Sequence, residues 1–330
     1  MSALTATANA RREYPALRRV LAAYGQEIVV LLALVLLFVV VGVVNPRFLS
    51  NTNLTSIFAG NAYIAVAAIG MAMVIISGHI DVSVGSLIGV LATIAGTLAV
   101  AGYPVWIAWI VPIVVGIVIN TVQGALIAYA RIPAIVVTLG FLSILKGGLI
   151  SATGGAWITG MPEAFMIAQK RLFGVPSSVY FMIVLTLLAA FWMRYFALGR
   201  SLYAAGGNPE AARAAGISPE RVCVMAFAIH GFFAGIAALL FATQLQVIQS
   251  TVPPNLELTV ITAAVIGGVS ILGGTGTVIG STLAAILFAT IGSALIFLNV
   301  SAYWLRAVLG FLILSTVLAD MVRRRRAMVR

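Results

Sequence analysis

Few side chains in this chain of 330 residues are equipped for chemistry, and their spacing says which chemistries are missing. His79 and His230 lie far apart and lack the short spacing of metal ligands. Cys223 is the sole cysteine, so neither an intrachain disulfide nor a Cys-based cluster can form. It stands at the start of an apolar run and reads as a small buried residue. Gly273-Gly274-Thr275-Gly276 is rich in glycine but has no Gly-Lys-Ser/Thr tail to hold phosphates and magnesium. Neither a catalytic triad nor a pair of carboxylates is suggested. The chain reads as non-enzymatic, with no catalytic residue, metal site or cofactor of its own.

The remaining polar groups sit among apolar residues. Asp81-Val82-Ser83 precedes a new apolar run. The Asp81 carboxylate can cap the following helix by accepting backbone N–H bonds and can oppose the positive helix end. A place in a solute pathway or gate is the alternative for Asp81, and for Ser83 and Ser86 beside it. Asn120 and Gln123, one helical turn apart, make a polar stripe that can bond a neighbouring helix or touch a solute.

Gly206-Gly207-Asn208-Pro209-Glu210-Ala211-Ala212-Arg213-Ala214-Ala215-Gly216 is a polar island between long apolar runs. Asn208 is an N-cap with Pro209 at the first helical position, and Glu210 complements the dipole. The alanines favour helix and Gly216 ends it. Ser218-Pro219-Glu220 starts another helix in the same way. The island predicts a short rigid helix of about two turns on which a partner docks.

The elements around these residues are membrane spans. Apolar residues make up 62% of the chain and charged residues 8%, against about 25% charged in soluble domains. The expected fold is all-α, a polytopic membrane protein of about ten transmembrane helices. The spans are expected near 28–44, 55–77, 82–101, 105–130, 132–152, 178–198, 222–246, 257–272, 276–298 and 303–322. They form one domain, 28–322, between an N-terminal tail, 1–27, and a basic C-terminal tail, 323–330. The net charge of +11 falls in short blocks beside spans, which argues for lipid and against nucleic acid. Arg11, Arg12, Arg18, Arg19, Arg131, Arg200, Arg213, Arg221 and Arg323 to Arg326 then share one face, expected to be cytoplasmic together with both termini. Arg47, Lys170, Arg171 and Arg306 lie opposite. Ionisable residues are scarce within the spans, which disfavours a proton relay and favours a conduit driven from outside the bilayer.

A weak internal repeat relates Ser77–Gly89 to Gly267–Gly280, each a glycine-rich break between apolar runs. Paired interruptions of this kind mark transporters built from repeats.

Three further stretches join the island in a resemblance. Gly78-His79-Ile80-Asp81-Val82-Ser83-Val84-Gly85-Ser86, Ile132-Pro133-Ala134-Ile135-Val136-Val137-Thr138-Leu139-Gly140 and Gly267-Gly268-Val269-Ser270-Ile271-Leu272-Gly273-Gly274 stand in the same order as in bacterial sugar ABC importer permeases. The resemblance is to the ribose, xylose, arabinose, rhamnose and autoinducer-2 group, from about residue 28 to 322. It implies an inner-membrane permease subunit for a monosaccharide or small polyol, working by alternating access. It implies a second permease subunit, identical or homologous, and cytoplasmic ATPase subunits that hold the ATP and magnesium. It also implies a periplasmic or lipid-anchored sugar-binding protein. The island within 199–221 is then the coupling segment, carried by Gly206, Gly207, Asn208, Pro209, Glu210, Ala211, Ala212, Arg213 and Gly216. Arg47, Lys170, Arg171 and Arg306 become candidates for binding-protein contact, with plain snorkelling as the alternative. The chain departs from the group at His79 and at Gln123-Gly124, while Thr153-Gly154-Gly155-Ala156-Trp157-Ile158 is most similar to the autoinducer-2 and rhamnose permeases. An ion-coupled secondary carrier is the competing reading, and a receptor a weaker third.

Overall fold

A computed structural model describes residues 15–244, 247–249, 255–301 and 303–328. Arg11 and Arg12 lie outside the described residues. The helices are α1 (Pro15–Val44), α2 (Asn51–Gly60), α3 (Ala62–Ile76), α4 (Val84–Val100), α5 (Val105–Tyr129), α6 (Ala134–Thr153) and α7 (Ser177–Tyr195). They continue with α8 (Ala197–Gly207), α9 (Pro209–Ala214), α10 (Pro219–Gln244), α11 (Leu256–Ile266), α12 (Val278–Phe297) and α13 (Trp304–Met328). Two-residue strands pair only in the loops: Trp157–Ile158 with Ile248–Gln249, and Arg171–Leu172 with Val175–Pro176.

Seven stretches among the described residues are long and apolar enough to cross a membrane, counting α2 and α3 as one. This is a multi-pass, all-α membrane protein. Two of the remaining expected spans are shorter than a full crossing. α4 has 17 residues and α11 only 11, about 16 Å of helix, half of a bilayer core. The expected span 257–272 ends early because Gly267 and Gly268 stop the helix. α1 is helical from Pro15, and α13 runs on to Met328.

α3 is the centre. Apart from Tyr63 its residues are all buried, against α10, α12 and α11. The tightest pair is α5 with α10, where Gly116 faces Gly231, Gly124 faces Val224 and Phe227, and Gly235 faces Ile113. A Cβ on Gly116 would come 2.6 Å from the Gly231 carbonyl oxygen, so these backbones touch directly. Small residues permit such packing where lipid offers no hydrophobic contrast between helices. α1, α6 and α7 form the periphery and turn valines, leucines and isoleucines outward.

The two breaks share one backbone path. Gly78 N–H bonds to the Ile75 carbonyl and His79 N–H to Val74; Gly268 N–H bonds to Val265 and Val269 N–H to Ala264 at equivalent positions. Gly78 has φ +89° and Gly268 φ +98°, the left-handed conformation that closes a helix this way. The repeat in the sequence is therefore a repeat in structure at the breaks.

Candidate coupling junction and buried polar network

α9 has the local form its sequence predicts. Asn208 Oδ1 accepts the Ala211 N–H at 2.9 Å, Pro209 begins the helix and Glu210 sits in its first turn. Gly216, at φ +81°, lets the Ile217 N–H return to the Ala212 carbonyl at 2.9 Å. The Ser218 hydroxyl then accepts the Arg221 N–H at 3.3 Å, and Arg213 pairs with Glu220 across the turn. Residues 207–211 and 213–216 are exposed, and only Ala212 turns inward. α9 is a capped, braced surface element.

Its root is a three-way backbone contact. Gly206, at the end of α8, abuts the Ile76 carbonyl so closely that a Cβ there would fall inside it. The same carbonyl accepts the Gly274 N–H at 2.8 Å. A Cβ on Gly274 would lie 2.5 Å from Gly207 Cα, and one on Gly273 2.9 Å from Gly78 Cα. The coupling island thus bears on both helix breaks at once. Tyr203 of α8 adds a bond from its hydroxyl to the Gly276 carbonyl at 3.0 Å. Burial, and then the Glu27 carboxylate, push the Tyr203 phenol up from its ordinary value.

The candidate pathway residues lie deeper. Ser83 N–H and hydroxyl donate to Asp81 Oδ1 at 2.7 and 2.6 Å. Asn120 Nδ2 donates to Asp81 Oδ2 at 3.4 Å, and Gln123 Nε2 donates to Ser83 Oγ at 3.0 Å and to Asn120 Oδ1 at 3.2 Å. All four side chains are 0% exposed, and they line neither cavity described below. Ser86 is buried too, but its hydroxyl bonds to none of them. The expected Asp81 cap falls short of the helix: its backbone bond goes to Ser83, and α4 begins at Val84. Asn120 and Gln123 do bond a neighbouring segment.

His230 is the member the sequence reading missed. Its Nε2 stands 3.4 Å from Asp81 Oδ2 but is not aligned as a hydrogen bond. Gly70 makes room for the ring, since a Cβ there would come 2.6 Å from His230 Nδ1. An ionisable residue in mid-span, next to Gly231, was the available signal. Glu257 was likewise passed over. Its carboxylate lies against Gly85, so the first turns of α11 and α4 meet.

The opposite end of the bundle carries the four candidate outer residues. Arg47, Lys170, Arg171 and Arg306 are all exposed. Phe48, next to Arg47, packs on Phe297 at 5.6 Å, and the strand at Val175–Pro176 packs on α2, so these loops share one end. A cavity of about 380 Å³ lies here between α2, α11, α12 and α13. Asn53, Ser56, Asn61, Thr259 and Ser293 line it, all uncharged hydrogen-bonding groups. Sequence reasoning did not find them, because they come from three helices and the α2–α3 turn and from no motif.

Comparison with known proteins agrees with this architecture. The family model for the branched-chain amino acid transport system / permease component matches residues 53–317. The autoinducer 2 import system permease protein LsrC of Salmonella typhi is 38% identical over 297 residues, covering 90% of this chain and 86% of that protein. The LsrC protein of Escherichia coli O9:H4 (strain HS) is 36% identical over 297 residues, covering 90% of this chain and 87% of its own. No solved structure matches.

Proposed function

The chain belongs to the permease family of the branched-chain amino acid transport system type, a component of ABC importers, and on that premise we propose how this subunit works and what it carries. It is a transport protein, the membrane-spanning permease of a sugar-type ABC importer. Its solute is a small polyol, autoinducer-2-like or a monosaccharide. The relatives' import of autoinducer 2 supports this, as does a cavity lined by amide and hydroxyl groups without charge. The subunit sits in a bacterial inner membrane with both termini cytoplasmic. A second permease subunit completes the pathway. Two ATPase subunits hold ATP and magnesium, and a periplasmic or lipid-anchored binding protein delivers the solute.

One observation carries the mechanism. An exposed, capped helix is rooted by Gly206 in both helix breaks, in a chain without a phosphate-binding loop. ATPase closure pushes α9; α8 transmits the push to the two breaks, and the second break moves with α11 and the start of α12. Asp81, Ser83, Asn120 and Gln123 act with His230 by holding the first break to α5 and α10. Ser86 lies on α4, just past the first break. Arg47, Lys170, Arg171 and Arg306 receive the binding protein. Uptake into vesicles tests the whole reading: it must need ATP, the ATPase and the binding protein together. Uptake driven by a proton or sodium gradient alone overturns it.

A further inference from the structure

A second cavity, of about 520 Å³, opens where the apolar stretch of α1 begins, α7 ends and α12 starts, against α8. Its volume is that of a small-ligand site, roughly 300–1,000 Å³. Arg194 and Tyr195 come from the last turn of α7, Ile279 from the first turn of α12, and Arg200 from α8. The ends of three apolar spans put the cavity at a membrane–water boundary.

Its two sides differ in chemistry. On one, two guanidinium groups, Arg194 and Arg200, stand with one carboxylate, Glu27, so the corner is net positive. Glu27 already accepts the Thr277 hydroxyl at 2.6 Å. Arg194 lies over the Tyr195 ring at 5.6 Å, and Arg200 Nη1 bonds to the Tyr195 carbonyl at 2.7 Å. A guanidinium has five N–H donors in a fixed fork, so this one bond orients the Arg200 fork without filling it. On the other side, the cavity wall at Phe191 runs into an exposed stripe on α7, Val184, Leu188 and Phe191. These follow one another at i, i+4 and i+7 and so share one helix face.

We infer that this cavity binds an anionic phospholipid, its phosphate on Arg194 and Arg200 and an acyl chain along Phe191, Leu188 and Val184. Guanidinium forks suit phosphate oxygens, and basic pockets between spans take anionic headgroups. A soluble phosphate would use the arginines alone; a lipid uses both sides. The inference needs only the membrane location and stands apart from the coupling mechanism.

Trp192, half-buried between Phe191 and Met193 on α7, is a built-in reporter. A variant with Trp106, Trp109, Trp157 and Trp304 changed to Phe is placed in nanodiscs of phosphatidylcholine. These are doped with phosphatidylglycerol brominated on its acyl chains, or with equally brominated phosphatidylcholine. Phosphatidylglycerol is expected to quench Trp192 at about tenfold lower mole fraction. Arg194→Gln with Arg200→Gln abolishes the preference. Arg194→Lys with Arg200→Lys keeps the charge and part of the preference, which guards against a folding defect. Equal quenching by the two lipids overturns the inference, as does a preference that survives the Gln pair. Full competition by aqueous glycerol phosphate would make the ligand a soluble anion and also overturns it. Loss of ATPase co-purification in the Gln pair, without any lipid preference before it, would assign the corner to a protein partner instead.

Discussion

Gly206 and Gly207 are neighbours in sequence, yet a single methyl group should have opposite effects at the two positions. At Gly206 the methyl of Ala lands on the Ile76 carbonyl oxygen, with Ile76 C and Ser77 C at 2.9 Å. Each of these atoms is backbone, so no rotamer change relieves the overlap. The two segments must separate, and the bond from Gly274 N–H to the Ile76 carbonyl, 2.8 Å long, breaks first. Overpacking of this kind costs about 1–3 kcal/mol, and the lost bond about 1 kcal/mol more. A penalty near 3 kcal/mol shifts the junction's equilibrium on the order of a hundredfold. At Gly207 the new methyl would meet Gly274 Cα at 3.7 Å, an ordinary contact. The assay is the reconstituted importer, with ATP hydrolysis and solute uptake measured in the same vesicles. Gly206→Ala should lower uptake at least tenfold while hydrolysis persists, because α9 and its docking face are untouched. Gly207→Ala should stay within about twofold of the parent in both. Equal behaviour of the two variants, at matched folding by size exclusion, would refute the reasoning.

Three further outcomes follow from the same contacts. His230→Ala removes a fully buried ring and leaves a cavity beside Asp81, and should destabilise by about 3–5 kcal/mol, whereas Asp81→Asn keeps both the shape and an acceptor for the Ser83 N–H and should cost less; detergent thermal unfolding ranks them. Asn208→Ala removes the α9 cap, worth about 1 kcal/mol, and should weaken ATPase co-purification without lowering the unfolding temperature of the spans. The raised Tyr203 phenol sets an alkaline limb. Its folded-state value lies above the unfolded one of about 10, so its stabilising share is intact below pH 10 and lost as pH rises further. The unfolding temperature should therefore fall less between pH 9 and about 11 in Tyr203→Phe than in the parent.

Periodicity and local chemistry were legible before any coordinates. Apolar runs located the helices, and the Asn208–Pro209 start with the Gly216 stop outlined α9 to the residue, because caps are written in adjacent side chains. Span length was harder to read. Apolar residues continue past Ile266 through Val269, Ile271 and Leu272, and only the left-handed turn at Gly268 ends α11. The Asp81 network was half visible. Asp81, Ser83, Asn120 and Gln123 were singled out by polarity, but their joining to His230 depends on how α5 and α10 dock through Gly116 and Gly231. Long-range contact of that kind has no local signature. Nor has the Gly206 junction, where three segments far apart in the chain meet by backbone alone.

The two breaks close with the same hydrogen bonds, but they are held differently. Behind the first, Asp81 is fixed by Ser83 and Asn120, so that break is tied to α5 by buried hydrogen bonds and packs on His230 of α10. Behind the second, the Thr277 hydroxyl donates to Glu27 and Gln26 Nε2 to the Ile266 carbonyl, so that break is held to α1 by half-buried bonds. Buried polar groups in a low-dielectric interior are costly to separate, whereas half-buried bonds exchange for bonds to water when a turn moves. A push through Gly206 therefore meets a stiff support on one side and a mobile one on the other. The expected motion is asymmetric: α11 and the start of α12 swing, while the α3–α4 break stays with α5 and α10. Spin-label distances separate these alternatives, because a pair on α12 and α5 should change between nucleotide-free and ATP-bound complexes and a pair on α4 and α5 should not. Equal changes in both pairs would mean that the polar network does not anchor the first break.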